Sequence, residues 1–402
     1  MQARKRGDAA ALQTTPPLHW NSEELVLVLL RMTRTSTQSS LGEVLSRRTV
    51  EGELYEKLEK NAVRCFACGH RCKILDGLKG ICKVRYNEGG TLKVPRGYVA
   101  ALQVDPIEKK PFFHAYPGAL ALSFGMLGCD YHCGYCQNWV TSQALRDPLA
   151  VAPPQDVEPA DLVRLARKHG AKVITSTYNE PLITSEWAVE VFREAKAAGL
   201  VCSYVSNGNG TPEVLDYIAP YISMYKVDLK GFDDRHYRDL GGVLQPVLDT
   251  IRGLVQRKIW VEIVTLVVPG FNDSDEELTK LAEFIAGVDP DIPWHITAYH
   301  EDYKMDNPST TAEHLLRAYE IGRRAGLRYI YPGNLPGRVG DREGTHCPAC
   351  DTLVIGRTGF RVTSFRLEEG KCPGCATEIP GIWDGEAEVG RSGIPRPVFL
   401  AR

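Results

Sequence analysis

The sequence predicts an α/β protein whose parallel sheet is covered by helices. Between residues 119 and 335, short apolar runs alternate with longer amphipathic stretches. The apolar runs are 121–126, 172–175, 201–205, 222–228, 260–267, 294–299 and 329–331. Apolar strands that alternate with helices are typical of parallel sheets buried on both faces. We therefore predict a full or partial βα barrel, with a doubly wound open sheet as the alternative.

Helices are predicted between these strands, and three of them end on a recognisable signal. The helical segments are 159–169, 183–198, 212–219, 243–256, 275–286 and 311–325. Gly170, Gly199 and Gly326 each follow one of them, at the position where a glycine commonly ends a helix. In a βα barrel, the loops after the strands build the active site, so functional residues are expected in those loops.

Composition and charge exclude several classes of protein. The chain has 402 residues, 43% of them hydrophobic, which is enough for one large domain with smaller attachments. The formal net charge of -2 gives no overall field that would favour nucleic acid or an anionic membrane. No apolar run reaches the length of a membrane span, and no signal peptide is evident. We expect a cytoplasmic protein that binds neither membrane nor nucleic acid.

The twelve cysteines are the most unusual feature of the composition. Eleven fall into three clusters, while Cys202 stands alone in an apolar run, where we interpret it as a buried small hydrophobe. Close C-x2-C pairs in a chain without a secretory signal are typical of metal ligands rather than disulfides. This cysteine usage favours a reducing compartment.

Cys129, Cys133 and Cys136 form a C-x3-C-x2-C motif directly after the first predicted strand of the alternating region. A four-iron, four-sulfur cluster is normally held by cysteine thiolates on all of its irons. Three thiolates leave one iron free for a small molecule, and an open coordination position is typical of a metal site that does chemistry. The motif therefore predicts a reactive iron–sulfur site.

With this motif, six segments of the chain resemble the radical S-adenosylmethionine (SAM) enzymes in their order and sequence. They are DPIEKKP at 105–111, CQNW at 136–139, YNEP at 178–181, DLK at 228–230, VPGFND at 268–273 and YPGN at 331–334. The resemblance covers roughly residues 60–380. Within these enzymes the chain is most similar to the pyruvate formate-lyase activating enzyme branch, and there to the AmmeMemoRadiSam system radical enzymes.

The resemblance implies both a fold and a reaction. The fold is a partial (βα)6 TIM-like barrel of the radical SAM type. A [4Fe-4S] cluster binds SAM and, reduced by a flavodoxin or ferredoxin, cleaves it to a 5′-deoxyadenosyl radical. That radical takes a hydrogen atom from a protein substrate, as in glycyl-radical activases. The alternatives are a radical SAM enzyme that acts on a small molecule or modifies another protein, and a non-enzymatic zinc-binding regulatory protein.

The resemblance also implies residues that bind SAM through its adenosyl and amino-acid parts. Tyr135 corresponds to the aromatic residue that contacts adenine, although packing of the loop explains it equally well. Glu180 would accept a charge-assisted hydrogen bond from the ammonium group of SAM. Ser206 and Asn207 would meet the ribose or the methionyl carboxylate, and their alternative is a plain Asn-Gly turn.

Three further residues are expected beside the cofactor. Asp228 and Lys230 lie two residues apart, so alternation along a strand places them on the same side. The resemblance puts them next to the methionyl group, with an ordinary surface pair as the alternative. His300 matches a histidine near the cofactor. His295 lies within a predicted strand and is interpreted as a core residue.

Two other cysteine sets lie outside the alternating region. Cys347, Cys350, Cys372 and Cys375 have the spacing of a zinc ribbon or rubredoxin-like site, which predicts a closed, structural site for Zn or Fe.

The N-terminal set consists of Cys65, Cys68, Cys72 and Cys82. It fits Zn, an auxiliary iron–sulfur cluster or part of an electron channel, with His70 as a bystander.

Five regions are predicted along the chain. Residues 1–50 are expected to be a loosely ordered extension, 51–118 an N-terminal cysteine-rich segment and 119–335 the radical SAM barrel. Residues 341–382 are expected to form a separate four-cysteine metal-binding module, and 383–402 a tail.

Overall fold

Short antiparallel strands build the N-terminal part of the computed structural model, which describes residues 40–385 and 387–400. Helix α1 spans Leu41–Ser46. Strands β1 to β8 are Thr49–Glu51, Tyr55–Lys57, Val63–Cys65, Lys73–Ile74, Tyr86–Glu88, Thr91–Pro95, Tyr98–Val99 and Ala101–Pro106. They include the small sheets β1-β6-β5 and β2-β3-β4.

The predicted loosely ordered extension, residues 1–50, needs a correction in the part that is described. Residues 41–50 contain α1 and the beginning of β1, which pairs with β6. This pairing satisfies backbone groups that an extension would leave to water. Residues 1–39 lie outside the described residues.

A nine-stranded sheet forms the centre of the fold within the described residues. Strands β9 to β16 are Leu120–Gly125, Gln155–Asp156, Val173–Ser176, Val201–Ser206, Met224–Asp228, Trp260–Val267, Trp294–Ala298 and Ile330–Gly333. Strands β17 to β20 are Thr345–His346, Leu353–Thr358, Arg361–Phe365 and Arg396–Pro397. The order in the central sheet is β16-β15-β14-β13-β12-β11-β9-β8-β20.

The strands from β9 to β16 in this sheet are parallel, and each pairs with its neighbours along the chain. Strand β8 is antiparallel to β9, and β20 from the predicted tail is antiparallel to β8. Every predicted strand overlaps an observed one, so the α/β class with a parallel sheet is confirmed. The described strand order has β16 and β20 at its edges and does not establish a barrel, which stays a prediction.

Helices connect the parallel strands and cover them. Helices α2 to α9 are Trp139–Ser142, Pro159–Lys168, Ser185–Ala197, Pro212–Ile218, Asp234–Asp239, Leu244–Gln256, Asp275–Val288 and Ala312–Arg324. Short 3-10 helices are Glu59–Asn61, Ile107–Lys109 and Pro181–Thr184. The six predicted helices are all present, while the short helices α1, α2 and α6 were not predicted. Among the described residues, no helix combines the length and the apolar character that crossing a membrane requires.

Local sequence explains where several helices begin and end. Helix α8 begins after Ser274, whose hydroxyl accepts a hydrogen bond from the backbone N–H of Glu277. Three acidic residues follow in its first turn, where they interact favourably with the positive end of the helix dipole. The three glycines predicted to end helices all have positive φ, between 67° and 94°.

The C-terminal four-cysteine segment folds around the small sheet β17-β18-β19 and shares a core with the central sheet. Cys347 and Cys372 are buried in the same cluster as Phe113 and Tyr331. The segment predicted as a separate module therefore belongs to one compact unit that extends from Leu45 to Arg402, because burial of these apolar groups stabilises the contact.

A buried polar network near the amino-terminal ends of the strands strengthens this contact. Glu262 of β14 accepts hydrogen bonds from the backbone N–H groups of Phe113 and His114, both at 2.9 Å. Nδ1 of His114 lies 2.6 Å from the carbonyl oxygen of Pro380, which can only accept. Nε2 of His114 lies 2.5 Å from the Tyr331 hydroxyl. A neutral imidazole satisfies both contacts, and burial lowers the pKa of His114 to about 4.

This network predicts an acid-dependent loss of stability. Because the unfolded histidine takes up a proton near pH 6.5 and the buried one only near pH 4, His114 destabilises the fold as the pH falls between these values. The free energy of unfolding of His114→Gln should be lower than that of wild type at pH 7, and the gap should narrow by up to ~3 kcal/mol towards pH 4. Urea unfolding at several pH values measures the gap, and a constant gap would contradict the assignment.

Candidate functional site

The largest set of predicted functional residues lies around one cavity at the carboxyl edge of the central sheet. The cavity has a volume of about 360 Å³. Its lining includes the three cysteines Cys129, Cys133 and Cys136. It also includes six of the seven residues predicted to bind SAM, namely Tyr135, Glu180, Ser206, Asn207, Asp228 and Lys230. Parallel strands bring these residues together because all their carboxyl ends lie at the same edge.

The cysteine loop follows β9, and its three cysteines line the cavity. The backbone N–H of Tyr131 donates to Sγ of Cys129 at 3.4 Å. Sγ of Cys136 lies 3.2 Å from the hydroxyl of Ser142 in α2. Such donors stabilise thiolates, and hydrogen bonds to sulfur tune the potential of an iron–sulfur cluster. Burial raises the pKa of the Cys133 thiol to about 12, so this sulfur is a thiol unless a cation such as iron binds it.

The fully buried carboxylate of Asp130 fixes the loop to the end of β12. Its Oδ1 accepts a hydrogen bond from Nδ2 of Asn207 at 2.8 Å, and its Oδ2 accepts one from Nδ2 of Asn209 at 2.7 Å. Burial of a charge is costly unless it is hydrogen-bonded, so the two amides set the position of Asp130. Sequence reasoning did not single out Asp130 or Asn209.

Glu180 lies after β11 and is held by three donors. Its Oε1 accepts from the Ser206 hydroxyl at 2.7 Å and from the backbone N–H of Leu182 at 3.0 Å. Its Oε2 accepts from the backbone N–H of Asn207 at 2.8 Å. Burial and the neighbouring Asp130 raise its pKa to about 8, so a cation beside it would be needed to keep the carboxylate ionised at neutral pH.

Tyr135 lies in the cysteine loop with its ring against Phe271, at a centroid distance of 6.0 Å. The side chain is buried, and its hydroxyl has no hydrogen-bond partner in the structure. A buried hydroxyl without a partner is uncommon in a native fold. Tyr135 therefore offers both an apolar face and a free polar atom to a molecule in the cavity.

Asp228 and Lys230 lie together at the end of β13, as alternation predicted. Nζ of Lys230 is 3.3 Å from Oδ2 of Asp228, and the ammonium group of Lys226 bonds to Oδ1. Burial alone would raise the pKa of Asp228, but the two lysines hold it below its usual value. Lys226 was missed, although the same alternation that pairs Asp228 with Lys230 places it on that side of the strand.

A second ionic group, also missed as functional, comes from the DPIEKKP segment. Nζ of Lys110 lies 2.6 Å from Oδ2 of Asp105, and the Tyr178 hydroxyl also bonds to Asp105. Burial lowers the pKa of Lys110 to about 8. Burial would raise the pKa of Asp105, yet Lys110, Tyr178 and Lys109 bring it down to about 2. Lys110 and Tyr178 line the cavity, so this ion pair forms part of its wall.

The two histidines have different surroundings. His300 is exposed, and its Nε2 lies 3.1 Å from Nε2 of Gln137. Gln137 lines the cavity, but His300 does not belong to its lining. His295 is buried and its Nε2 bonds to Oε2 of Glu262 at 2.7 Å, as expected of a core residue.

The C-terminal cysteines form a compact tetrad. The ligand atoms of Cys347, Cys350, Cys372 and Cys375 all lie within 4.8 Å of one another. Two of the sulfur pairs are separated by 3.5 and 3.6 Å. Four thiolates at ~2.3 Å from one Zn²⁺ in a tetrahedron lie about 3.8 Å apart, so the tetrad fits a single metal ion.

The chain belongs to the radical SAM superfamily, which its residues 125–285 match. It is 34% identical over 334 residues to the uncharacterized protein MJ0808 of Methanocaldococcus jannaschii, covering 82% of this chain and 98% of that protein. It is 29% identical over 184 residues to the pyruvate formate-lyase-activating enzyme of Staphylococcus epidermidis, covering 43% of this chain and 72% of that enzyme. A domain of the corresponding enzyme from Bacteroides vulgatus is similar in structure, with a TM-score of 0.36 and 21% identity over 40% of this chain and 98% of that one.

Membership implies a [4Fe-4S] cluster and SAM, and the cavity fits both groups. Among the described residues, the three cysteine sulfurs do not form a single-ion group like the C-terminal tetrad. This agrees with a cluster, in which each thiolate binds a different iron. The partnerless hydroxyl of Tyr135 and the buried carboxylate of Glu180 suit a ligand with both apolar and cationic parts.

The C-terminal tetrad generates a prediction about metal content. Cys350 and Cys375 are exposed, so their replacement leaves the apolar core intact. Cys350→Ser/Cys375→Ser should lose about one metal ion per chain and unfold at a lower temperature, because a structural metal contributes folding free energy. Elemental analysis and thermal unfolding measure both effects.

The matched control is Pro373→Ser in the same exposed knuckle, which keeps all four thiols. Equal metal content in the double variant and the control would show that the tetrad binds no metal.

Proposed function

We propose that the protein is a radical SAM enzyme that abstracts a hydrogen atom from a protein substrate. The observation that supports this most strongly is the cavity itself. Three cysteines line the same cavity as the buried carboxylate of Glu180, and the described lining contains no fourth cysteine. When bound, the reduced cluster supplies the electron that cleaves SAM to methionine and a 5′-deoxyadenosyl radical.

The side chains around the cysteine loop would bind and orient SAM. Glu180 would accept hydrogen bonds from the ammonium group, and its own donors, Ser206 and Asn207, hold its carboxylate in place. The ammonium would also favour the ionised form of Glu180, whose pKa burial otherwise raises. Tyr135 would pack against the adenine ring and use its partnerless hydroxyl there.

The pair Asp228 and Lys230 would lie beside the methionyl part of SAM. Lys230 is half-buried beside Asp228, whose second oxygen bonds to Lys226, so the position of the Lys230 ammonium is restricted before any ligand binds. Restriction of this kind lowers the entropic cost of binding. His300 is exposed and outside the cavity lining, so its role would require a movement of Gln137 or of its own loop.

The protein nature of the substrate rests on similarity to pyruvate formate-lyase-activating enzymes, with a flavodoxin or ferredoxin as the proposed one-electron donor. Cleavage of SAM itself does not depend on that choice. The alternatives are a radical SAM reaction on a small molecule and the modification of another protein, since the cavity lining specifies neither.

Formation of 5′-deoxyadenosine tests the radical chemistry. The anaerobically reconstituted and reduced protein should produce it from SAM, while Cys133→Ala should produce none because the cluster loses a ligand. Glu180→Gln should keep its iron but bind SAM about 10- to 100-fold more weakly, since a hydrogen bond to a charged group contributes ~1.5–3 kcal/mol.

Cys202→Ala is the matched control, because Cys202 is buried on β12 outside all three cysteine sets. It should behave like wild type. A reconstituted wild-type protein that contains a cluster but forms no 5′-deoxyadenosine would refute the proposed chemistry.

The substrate class is tested with deuterium. The reduced enzyme and SAM are incubated with an extract of cells grown in deuterated medium, divided by ultrafiltration into a protein fraction and a small-molecule fraction. Deuterium in the 5′-deoxyadenosine after incubation with the protein fraction, measured by mass spectrometry, is the expected result. Deuterium transfer from the small-molecule fraction alone would favour the alternative.

A further inference from the structure

We propose that Cys65, Cys68, Cys72 and Cys82 hold a second iron–sulfur cluster, directly beside the radical SAM site. This inference goes beyond the proposed reaction, because it concerns a separate ligand set. Four cysteines form a closed set, so the second cluster has no open position for SAM.

The fold brings together Cys65, Cys72 and the turn that carries Cys82. A 3.0 Å hydrogen bond from the Arg71 N–H to the Cys68 carbonyl closes the turn that joins Cys68 to Cys72. Cys65 at the end of β3 donates its backbone N–H to the carbonyl of Cys72 at 3.0 Å, across the β3–β4 hairpin. Sγ of Cys72 lies 3.8 Å from the point where a side chain at Gly80 would begin. Gly80 opens the turn that carries Cys82, closed by a 3.0 Å hydrogen bond from the Lys83 N–H to the Gly80 carbonyl.

These thiols are shielded from solvent and lie near a buried cation. Cys65, Cys68 and Cys82 are 4–6% exposed, and Arg85 is 1% exposed. Nε of Arg85 has no hydrogen-bond partner, although its other nitrogens bind Glu186. A buried guanidinium with a free donor suits an anionic thiolate-bound group.

The N-terminal sulfur atoms differ in their spacing from those of the C-terminal tetrad. Among the described residues, the C-terminal tetrad has its ligand atoms within 4.8 Å of one another, and the N-terminal set does not form such a group. The Cys129 loop also does not form one, and superfamily membership assigns it a cluster. The N-terminal set therefore resembles the cluster ligands of this chain rather than its single-ion ligands.

Direct contacts join the N-terminal set to the Cys129 loop. Gly128 has φ +92°, and a side chain there would meet the Cys82 carbonyl oxygen at 3.0 Å. Arg146 donates to the Ile81 carbonyl at 2.6 Å and to the Tyr131 carbonyl at 3.3 Å. The turn with Cys82 thus packs on the residues that flank Cys129, which places the two clusters next to each other.

Sulfide content tests the second cluster in the full-length protein. After anaerobic reconstitution with iron and sulfide, wild type should contain about eight acid-labile sulfides per chain, and Cys129→Ala/Cys133→Ala/Cys136→Ala should keep about four. Cys65→Ala/Cys68→Ala should also keep about four, and Cys202→Ala about eight. Acid-labile sulfide is measured rather than metal, because the C-terminal tetrad would bind a metal ion without sulfide.

The triple variant Cys129→Ala/Cys133→Ala/Cys136→Ala tests for the second cluster even if Cys65→Ala/Cys68→Ala does not fold. A folded triple variant without sulfide, or with a second zinc ion in place of a cluster, would overturn the proposal. If its cluster is the N-terminal one, its electron paramagnetic resonance spectrum should not change when SAM is added. A spectrum that responds to SAM would contradict the assignment.

Electron paramagnetic resonance also tests whether the two clusters are neighbours. The spectrum of fully reduced wild type should differ from the sum of the two variants' spectra, because two neighbouring paramagnetic clusters couple. A wild-type spectrum equal to that sum would show that the clusters are not neighbours.

Discussion

The buried carboxylate of Asp130 is the interaction on which the arrangement of the site depends. It lies next to the first cysteine of the loop and accepts hydrogen bonds from Asn207 and Asn209. The backbone carbonyl of Asn209 in turn accepts a hydrogen bond from the backbone N–H of Gly69. One charge therefore joins the cysteine loop, the end of β12 and the N-terminal cysteine segment. Since an unpaired buried carboxylate is costly, the cysteine loop and the end of β12 adopt positions that satisfy it, and the N-terminal segment is attached to them through Asn209.

Contacts of the β18–β19 hairpin connect the C-terminal tetrad to the cavity. Phe360 lies in the turn between β18 and β19 and lines the cavity. The neighbouring Gly359 donates its N–H to Glu343 at 2.8 Å, and Arg357 in β18 donates to the carbonyl of Phe113 at 2.5 Å. The hairpin is thus fixed to the rest of the unit on one side and forms part of the cavity wall on the other. A metal ion in the tetrad would stabilise that part of the cavity wall without contacting the groups in the cavity.

The charges of the cavity are arranged in pairs before any ligand binds. Asp105 has a pKa of about 2 and Lys110 one of about 8, so both are mainly ionised at pH 7. Asp228 stands between Lys226 and Lys230 in the same way. Glu180 differs, because its neighbours are neutral donors and the carboxylate of Asp130. Among these buried carboxylates, Glu180 is therefore the one whose ionisation gains most from a cationic ligand.

The sequence by itself determined the class of the fold and the cysteine motifs, and it named nine of the residues that line the cavity. Apolar runs that alternate with amphipathic segments predict a parallel sheet. That sheet places residues at or after the ends of its strands at one edge, as Asp228 and Glu180 show. Local patterns carry this information because strand and helix periodicity depend on near neighbours. The same patterns did not predict the regular structure in residues 41–50 and in the tail. Pairing with strands distant in the chain forms β1 and β20 there.

Only the tertiary structure decided which groups meet across long separations in the chain. Asp130 with Asn209, Lys110 with Asp105 and Tyr178, and the turn of Cys82 against Gly128 have no signature in local sequence. His300 matches a motif yet is exposed outside the cavity lining. The physical reason is that burial and hydrogen bonding of a side chain depend on packing between elements, which sequence periodicity does not specify.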